Sequence, residues 1–184
     1  MAPRVKVTRQ DVLSAGLELV RKEGESALNA RNLAAVIGCS TQPVFSHFAS
    51  MEQLRLELVT EAEKLCRHFM EQEIAAKKYP PYKASGMAYI HFARQERNLF
   101  RLLYMRDRTA ETETVGQSLW GFGTDLAQQT TGRNADKTAQ FHMEMWALVH
   151  GFATMAATGY FTLDEDTVSA MITDVFRGLQ HDQN

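Results

Sequence analysis

Two cysteines, four prolines and two tryptophans in 184 residues set the first limits on this sequence. Cys39 and Cys66 cannot build a disulfide framework and lack metal-ligand spacing, which points to a reducing compartment. With so few prolines, two of them in the break Tyr79-Pro80-Pro81-Tyr82, long stretches are free to be helical. No apolar run reaches the length of about 18 residues that a membrane-spanning helix needs. The opening MAPRVKVTRQ lacks the apolar core of a secretion signal, so the expected location is the cytoplasm. Strands are missing as well: nowhere does a period-two pattern meet a hairpin turn. Charge of one sign is also lacking, with a formal net charge of −2. Splitting the chain makes that figure informative. Residues 1–50 hold six Lys and Arg against four Asp and Glu, a net +2, which leaves −4 for the rest. The sign of that asymmetry suits an N-terminal end that meets nucleic acid.

What the sequence does have is helical periodicity, and at 45% hydrophobic it can bury a substantial core. Thr8 can cap a first helix running to about Lys22, with Val12, Leu13, Gly16, Leu17 and Val20 on one face and Gly24 as its stop. Asn29 is placed to cap a second, with Leu33, Ala34 and Ile37 as its apolar stripe and Gly38 as the left-handed residue that ends it. Ser40 is expected to cap a third, whose first turn is Thr41-Gln42-Pro43. Pro43 is tolerated there because first-turn N–H groups have no intrahelical partner. Val44 and Phe45 are expected to face inward, leaving Thr41, Gln42, Ser46 and His47 outside. Ser50, with Gln53 three residues on as in a capping box, opens a long helix from about Met51 to Lys77. Its apolar positions Leu54, Leu58, Ala62, Leu65, Phe69 and Ile74 hold a helical period throughout, so it is the expected link between two halves. Past the double proline, helical patterns recur over about 82–95, 97–106, 111–130, 135–159 and 164–180. The chain therefore reads as all-α, with about nine helices. Helix, short glycine turn, helix with polar donors at its start is the helix-turn-helix arrangement.

The residues Gly24, Arg31, Leu33-Ala34, Gly38-Cys39-Ser40, Phe45, His47-Phe48 and Leu54 resemble the DNA-binding domain of the TetR family of bacterial transcriptional regulators. The motif spans roughly residues 8–55. Phe45 stands where that family usually has a tyrosine, and Met51 where a phosphate-contacting lysine is common. The resemblance implies a DNA-binding domain over 1–50 and a helical effector-binding and dimerisation domain over 51–184. It also implies that the helix starting at Ser40 lies in the major groove. Gln42 is then the candidate base reader, since an amide bonds bidentately to adenine N6 and N7. Thr41 and Pro43 would meet bases or thymine methyls, and Ser46, His47 and Arg31 would meet phosphates. Phe45 belongs to the same surface. Thr8 and the helix start behind it would receive a further phosphate, and Arg4, Lys6 and Arg9 would follow the backbone or enter the minor groove.

In the second half, Val168, Met171, Ile172, Val175 and Leu179 form a stripe on the last helix. The helix before it, Phe141 to Tyr160, is apolar almost all round and carries small residues such as Gly151 and Ala153. The resemblance implies a homodimer through these last two helices, about 135–159 and 164–180; the alternative is a monomer core. It also implies a small-molecule pocket among the middle helices. Candidate ligand contacts are His91, Phe100, Tyr104, Trp120, His142, Trp146 and His150, with Gln117 as a further polar group on an apolar helix. Aromatic clusters at helical spacing are more often core than ligand site, and each histidine has a structural reading beside the functional one. The stretch from Trp146 to His150-Gly151 resembles a Trp…His-Gly signature of one group of TetR C-terminal domains.

The implied function is a ligand-responsive regulator: most simply, a repressor that releases a palindromic operator when a small hydrophobic molecule binds. No cofactor, metal or membrane partner is expected. An enzyme has little support, because nucleophile-elbow, P-loop, dinucleotide and zinc-protease motifs are all missing, and His142 and His150 lie two helical turns apart. Cys39, next to the recognition helix, raises a thiol-sensing alternative.

Overall fold

The structure is a computed structural model that describes residues 7–107, 117–161 and 164–181. Among the described residues it contains nine α-helices and no strand, as the periodicity predicts. They are α1 (Arg9–Glu23), α2 (Ala30–Ile37), α3 (Gln42–His47), α4 (Met51–Ala76), α5 (Pro81–Gln95), α6 (Arg97–Tyr104), α7 (Gln117–Thr131), α8 (Ala135–Thr158) and α9 (Glu165–His181). No helix among them is long and apolar enough to cross a membrane. The basic arm with Arg4 and Lys6, the first residues of the 111–130 pattern and the Gln117 side chain lie outside the described residues.

Contacts divide the chain into two units. The first takes the residues up to Ala62 together with Asn98–Arg106; the second takes Glu63–Arg97 and the residues from Asp107 on. The division falls inside α4 rather than at its start, because Leu54, Leu58, Val59 and Ala62 are all buried core residues of the first unit. Gly16 lets α1 approach α4 there: a methyl at Gly16 would stand 3.0 Å from Leu58 Cδ1. The first unit also includes α6 from Asn98 on. Leu99, Phe100, Leu102 and Leu103 are buried, and the Asn98 amide donates to the Arg21 carbonyl at 3.0 Å. Phe100 and Tyr104, expected among the ligand contacts, thus belong to the unit that holds the helix-turn-helix. Their rings pack 5.0 Å apart.

The second unit is built around α5 and α8. Cys66, Met87, Ala88, Phe92, Phe141, Met145, Phe152 and Ala153 are buried in it. Burial pushes the Cys66 thiol well above its ordinary range, so it stays protonated and acts as a small apolar group. The stripe on α9 divides by depth: Val168 and Ile172 are buried, whereas Met171 and Val175 are 41% and 36% exposed.

Candidate functional site

Local hydrogen bonds fix the geometry of the helix-turn-helix. Asn29 Oδ1 accepts from the Arg31 and Asn32 N–H groups at 3.1 and 3.0 Å, which starts α2. Gly38 ends it at φ 75, ψ 35, a conformation that costs glycine little. Contrary to expectation, Ser40 does not cap α3. Thr41 occupies the N-cap position with helical φ and ψ and no side-chain cap bond. At α4, Ser50 Oγ accepts from the Gln53 N–H at 3.1 Å, but the Gln53 side chain reaches one residue further back and accepts from the Ala49 N–H at 2.7 Å.

The inward side of α3 also differs from the expected one. Val44 is fully buried, whereas Phe45 is 53% exposed. Adjacent residues on an α-helix lie about 100° apart, and Val44 with Phe48 four positions on already defines the inner line. Phe45 therefore falls on the outer face with Gln42 and Ser46, at i, i+3 and i+4. Thr41 and Pro43 flank that face half-buried, and Arg31 is exposed on α2. Ser46 Oγ donates to the Pro43 carbonyl at 2.8 Å. His47 Nε2 lies 2.9 Å from the Val7 carbonyl, so a protonated Nε2 donates to it and ties the approach to α1 onto the end of α3.

Two residues expected to meet the DNA backbone already have partners. The Thr8 hydroxyl accepts from the Asp11 N–H at 3.1 Å and the Asp11 carboxylate accepts from the Thr8 backbone N–H at 2.8 Å, completing a capping box, with the Thr8 hydroxyl also donating to that carboxylate at 2.7 Å. Those bonds hold the Asp11 carboxyl below its usual range, so the first turn of α1 carries a negative charge of its own beside the helix start. The Thr8-x-x-Asp11 spacing is the signal that could have revealed it. The Arg9 guanidinium pairs with Glu57 and lies 4.7 Å from the Phe48 ring centroid.

In the second unit, Trp120, His142, Trp146 and His150 come together. The Trp120 and His142 rings are 4.6 Å apart, Trp120 and Trp146 meet edge-on at 6.2 Å, and Trp146 stacks on His150 at 4.5 Å. Both histidines are held from α5: the Tyr82 and Tyr89 hydroxyls lie 2.8 and 2.9 Å from Nδ1 of His142 and His150. Tyrosines seven apart on one helix thus match histidines eight apart on another, a pairing visible in the spacing once the two helices are known to be neighbours. Burial lowers His142 to about 4 and also lowers His150, so both rings are neutral acceptors at pH 7. Gly123 admits α7 to this cluster, since a Cβ there would fall 2.5 Å from His142 Cε1. His91 stands apart from the cluster and lines an open pocket with Arg94 and Phe152. Among the described residues no three His, Cys, Asp or Glu side chains are grouped to hold a metal.

Residues 82–177, more than half of the chain, match the model of the tetracycline repressor-like C-terminal domain. The chain belongs to the TetR family. Its members are transcriptional regulators that bind DNA and effector ligands, and they are not enzymes. Among relatives, the chain is 21% identical over 173 residues to the uncharacterised helix-turn-helix regulator YobS of Bacillus subtilis, covering 93% of this chain and 90% of YobS. A TetR-family structure from Streptomyces coelicolor superposes with a TM-score of 0.68 at 15% identity, over 90% of this chain and 96% of that one. NalD of Pseudomonas aeruginosa, the secondary repressor of the MexAB-OprM multidrug efflux pump, gives 0.58 at 17% identity, over 96% and 97%.

Proposed function

We propose that this chain is a homodimeric, ligand-responsive repressor that holds a palindromic operator through α3 and releases it when an effector binds the second unit. The observation that carries the reading is the outer face of α3. Gln42, Phe45 and Ser46 are exposed on a helix anchored by buried Val44 and Phe48, with Arg31 exposed on the helix before it. An exposed amide at the start of such a helix is suited to bidentate bonding with adenine, and Thr41, Pro43 and the Phe45 ring offer apolar contact to thymine methyls. Ser46, His47 and Arg31 would serve the phosphates, with Thr8 contributing through the first turn of α1.

Charge argues for two copies. No Lys or Arg occurs between Arg31 and Arg55, and Arg55 is paired with Glu25 and Glu52 at 2.9 and 2.8 Å. A single protomer neutralises few phosphates and would bind weakly; a pair on an inverted repeat doubles the number. Support for the pairing surface comes from α8 and α9. Met143 on α8 is 50% exposed, Ala147 is exposed one turn on, and Met171 and Val175 are exposed one turn apart on α9. The ligand side is assigned to the second unit, where His91, Trp120, His142, Trp146 and His150 lie; NalD, a structural neighbour, is a repressor of a multidrug pump. Release follows if the effector prefers a state in which α4, which runs through both units, alters the spacing of the two recognition helices.

Selection from a random duplex pool, with ligand-stripped protein at moderate salt, tests this. Enrichment of an inverted repeat with half-sites about one helical turn apart is expected. Salt-sensitive binding with no enriched sequence would contradict it.

A further inference from the structure

The open pocket that includes His91 lies between α5, α8 and the start of α9. α5 contributes Met87, Ile90, His91 and Arg94, spaced i, i+3, i+4 and i+7, so one stripe of one helix turns from apolar to basic along the pocket. Met87, Ile90, Phe152 and Val168 are buried and make an apolar floor. Arg94 and Arg97 are exposed at the rim.

Glu165 is the acidic group on this lining, and it is already engaged. Lys78 Nζ donates to it at 2.6 Å and the Tyr79 hydroxyl at 3.1 Å. The Lys78 bond, above all, holds its carboxyl below the usual range. Neither Arg94 nor Arg97 has a carboxylate partner among the described residues. With Glu165 balanced by Lys78, the two guanidinium groups leave the pocket positively charged. A hydrophobic cation would meet like charge there, and a neutral apolar molecule would gain only the floor. A carboxylate could take a forked guanidinium bond while its apolar body covers the floor.

We infer that this pocket receives the effector and that the effector is an amphipathic anion: an apolar chain or ring ending in a carboxylate, its body on Met87, Phe152 and Val168 and its head on Arg94 and Arg97. The inference rests on the reading of the chain as an effector-responsive regulator and names the chemical class of the ligand. Because both arginines are exposed, the carboxylate contributes about tenfold in affinity rather than several hundredfold.

Calorimetric titration of the full chain with decanoate, decanol and decyltrimethylammonium, each kept below its micelle concentration, tests this. Decanoate is expected to bind about tenfold tighter than decanol, with the cation weakest. Arg94→Gln with Arg97→Gln should bring decanoate down to the decanol value and leave decanol unchanged, which also reports a folded pocket. Ala156→Trp, which fills the floor, should abolish both. Equal binding of decanoate and decanol by the wild type, stronger binding of the cation, or no binding of any of the three would overturn the inference. Operator selection on the same preparation separates the two failures. Specific DNA binding without decanoate binding removes the ligand assignment alone, whereas decanoate binding without an enriched operator removes the regulator reading, and the effector role with it, and leaves an anion-binding pocket.

Discussion

His47, the last residue of α3, is hydrogen-bonded through Nε2 to the backbone carbonyl of Val7, 2.9 Å away and 40 residues earlier in the chain. The bond joins the segment entering α1 to the far end of α3, so the histidine shapes the surface proposed to meet DNA. Replacing it removes a contact worth about 1 kcal/mol. His47→Ala should weaken operator binding about threefold to tenfold, and His47→Gln, which keeps a donor, should recover part of the loss. Fluorescence anisotropy on a labelled operator measures both. Equal affinities for wild type and His47→Ala would show that the bond has no part in DNA binding.

Val44 and Phe45 should separate stability from function. Val44 is sealed in the first unit, and truncating it to Ala should cost about 1–3 kcal/mol in chemical unfolding. Phe45 is 53% exposed, so Phe45→Ala should stay within about 0.5 kcal/mol of wild type in the same experiment while weakening operator binding. A large stability loss at Phe45 would mean that its ring is part of the core.

This pair also shows where sequence reasoning reaches its range. Short-range signals were legible: the Asn29 cap, the left-handed Gly38 and the Gly24 stop each depend on a few adjacent residues. In a helix of six residues, two adjacent apolar side chains give too few turns to show which one faces in. That follows only from the wider packing, and it put Phe45 outside. The Thr8 capping box was legible at one end only: the cap at Thr8 follows from its place before the helix, whereas the return bond from its N–H to the Asp11 carboxylate shows in the structure. Long-range partners were not legible at all. Asn98 meets Arg21 across 77 residues and draws Phe100 and Tyr104 into the first unit, while Tyr82 reaches His142 across 60. Of the expected ligand contacts, the aromatic and histidine pattern on α7 and α8 did come together, because those residues share helix faces that a 3.6-residue period identifies. The basic rim at Arg94 and Arg97 leaves no mark in the sequence, since isolated arginines at a helix end carry no pattern.

The buried His142 makes stability depend on pH in a definite direction. Burial lowers its folded value to about 4, below the ordinary 6.5, so between those values the unfolded chain holds a proton that the folded one does not. Its contribution is complete above about pH 6.5 and is lost as pH falls toward about 4. His150, also lowered by burial, adds a loss of the same sign. The expected drop is on the order of 2 kcal/mol between about pH 7.5 and pH 5. His142→Phe should flatten that dependence, at some cost in overall stability from the stranded Tyr82 hydroxyl. Urea unfolding at the two pH values reports it, and an unchanged slope in the variant would contradict the assignment.

The central claim is that Gln42 on α3 reads a base in each half of a palindrome. Base-by-base affinity profiling of the enriched operator, comparing wild type with Gln42→Ala, tests it most directly. The account predicts an overall loss of about tenfold, with discrimination relaxed at one symmetric position per half-site and the salt dependence unchanged. An unaltered profile, or a uniform loss with a shallower salt slope, would contradict it by showing Gln42 to be a backbone contact or none at all.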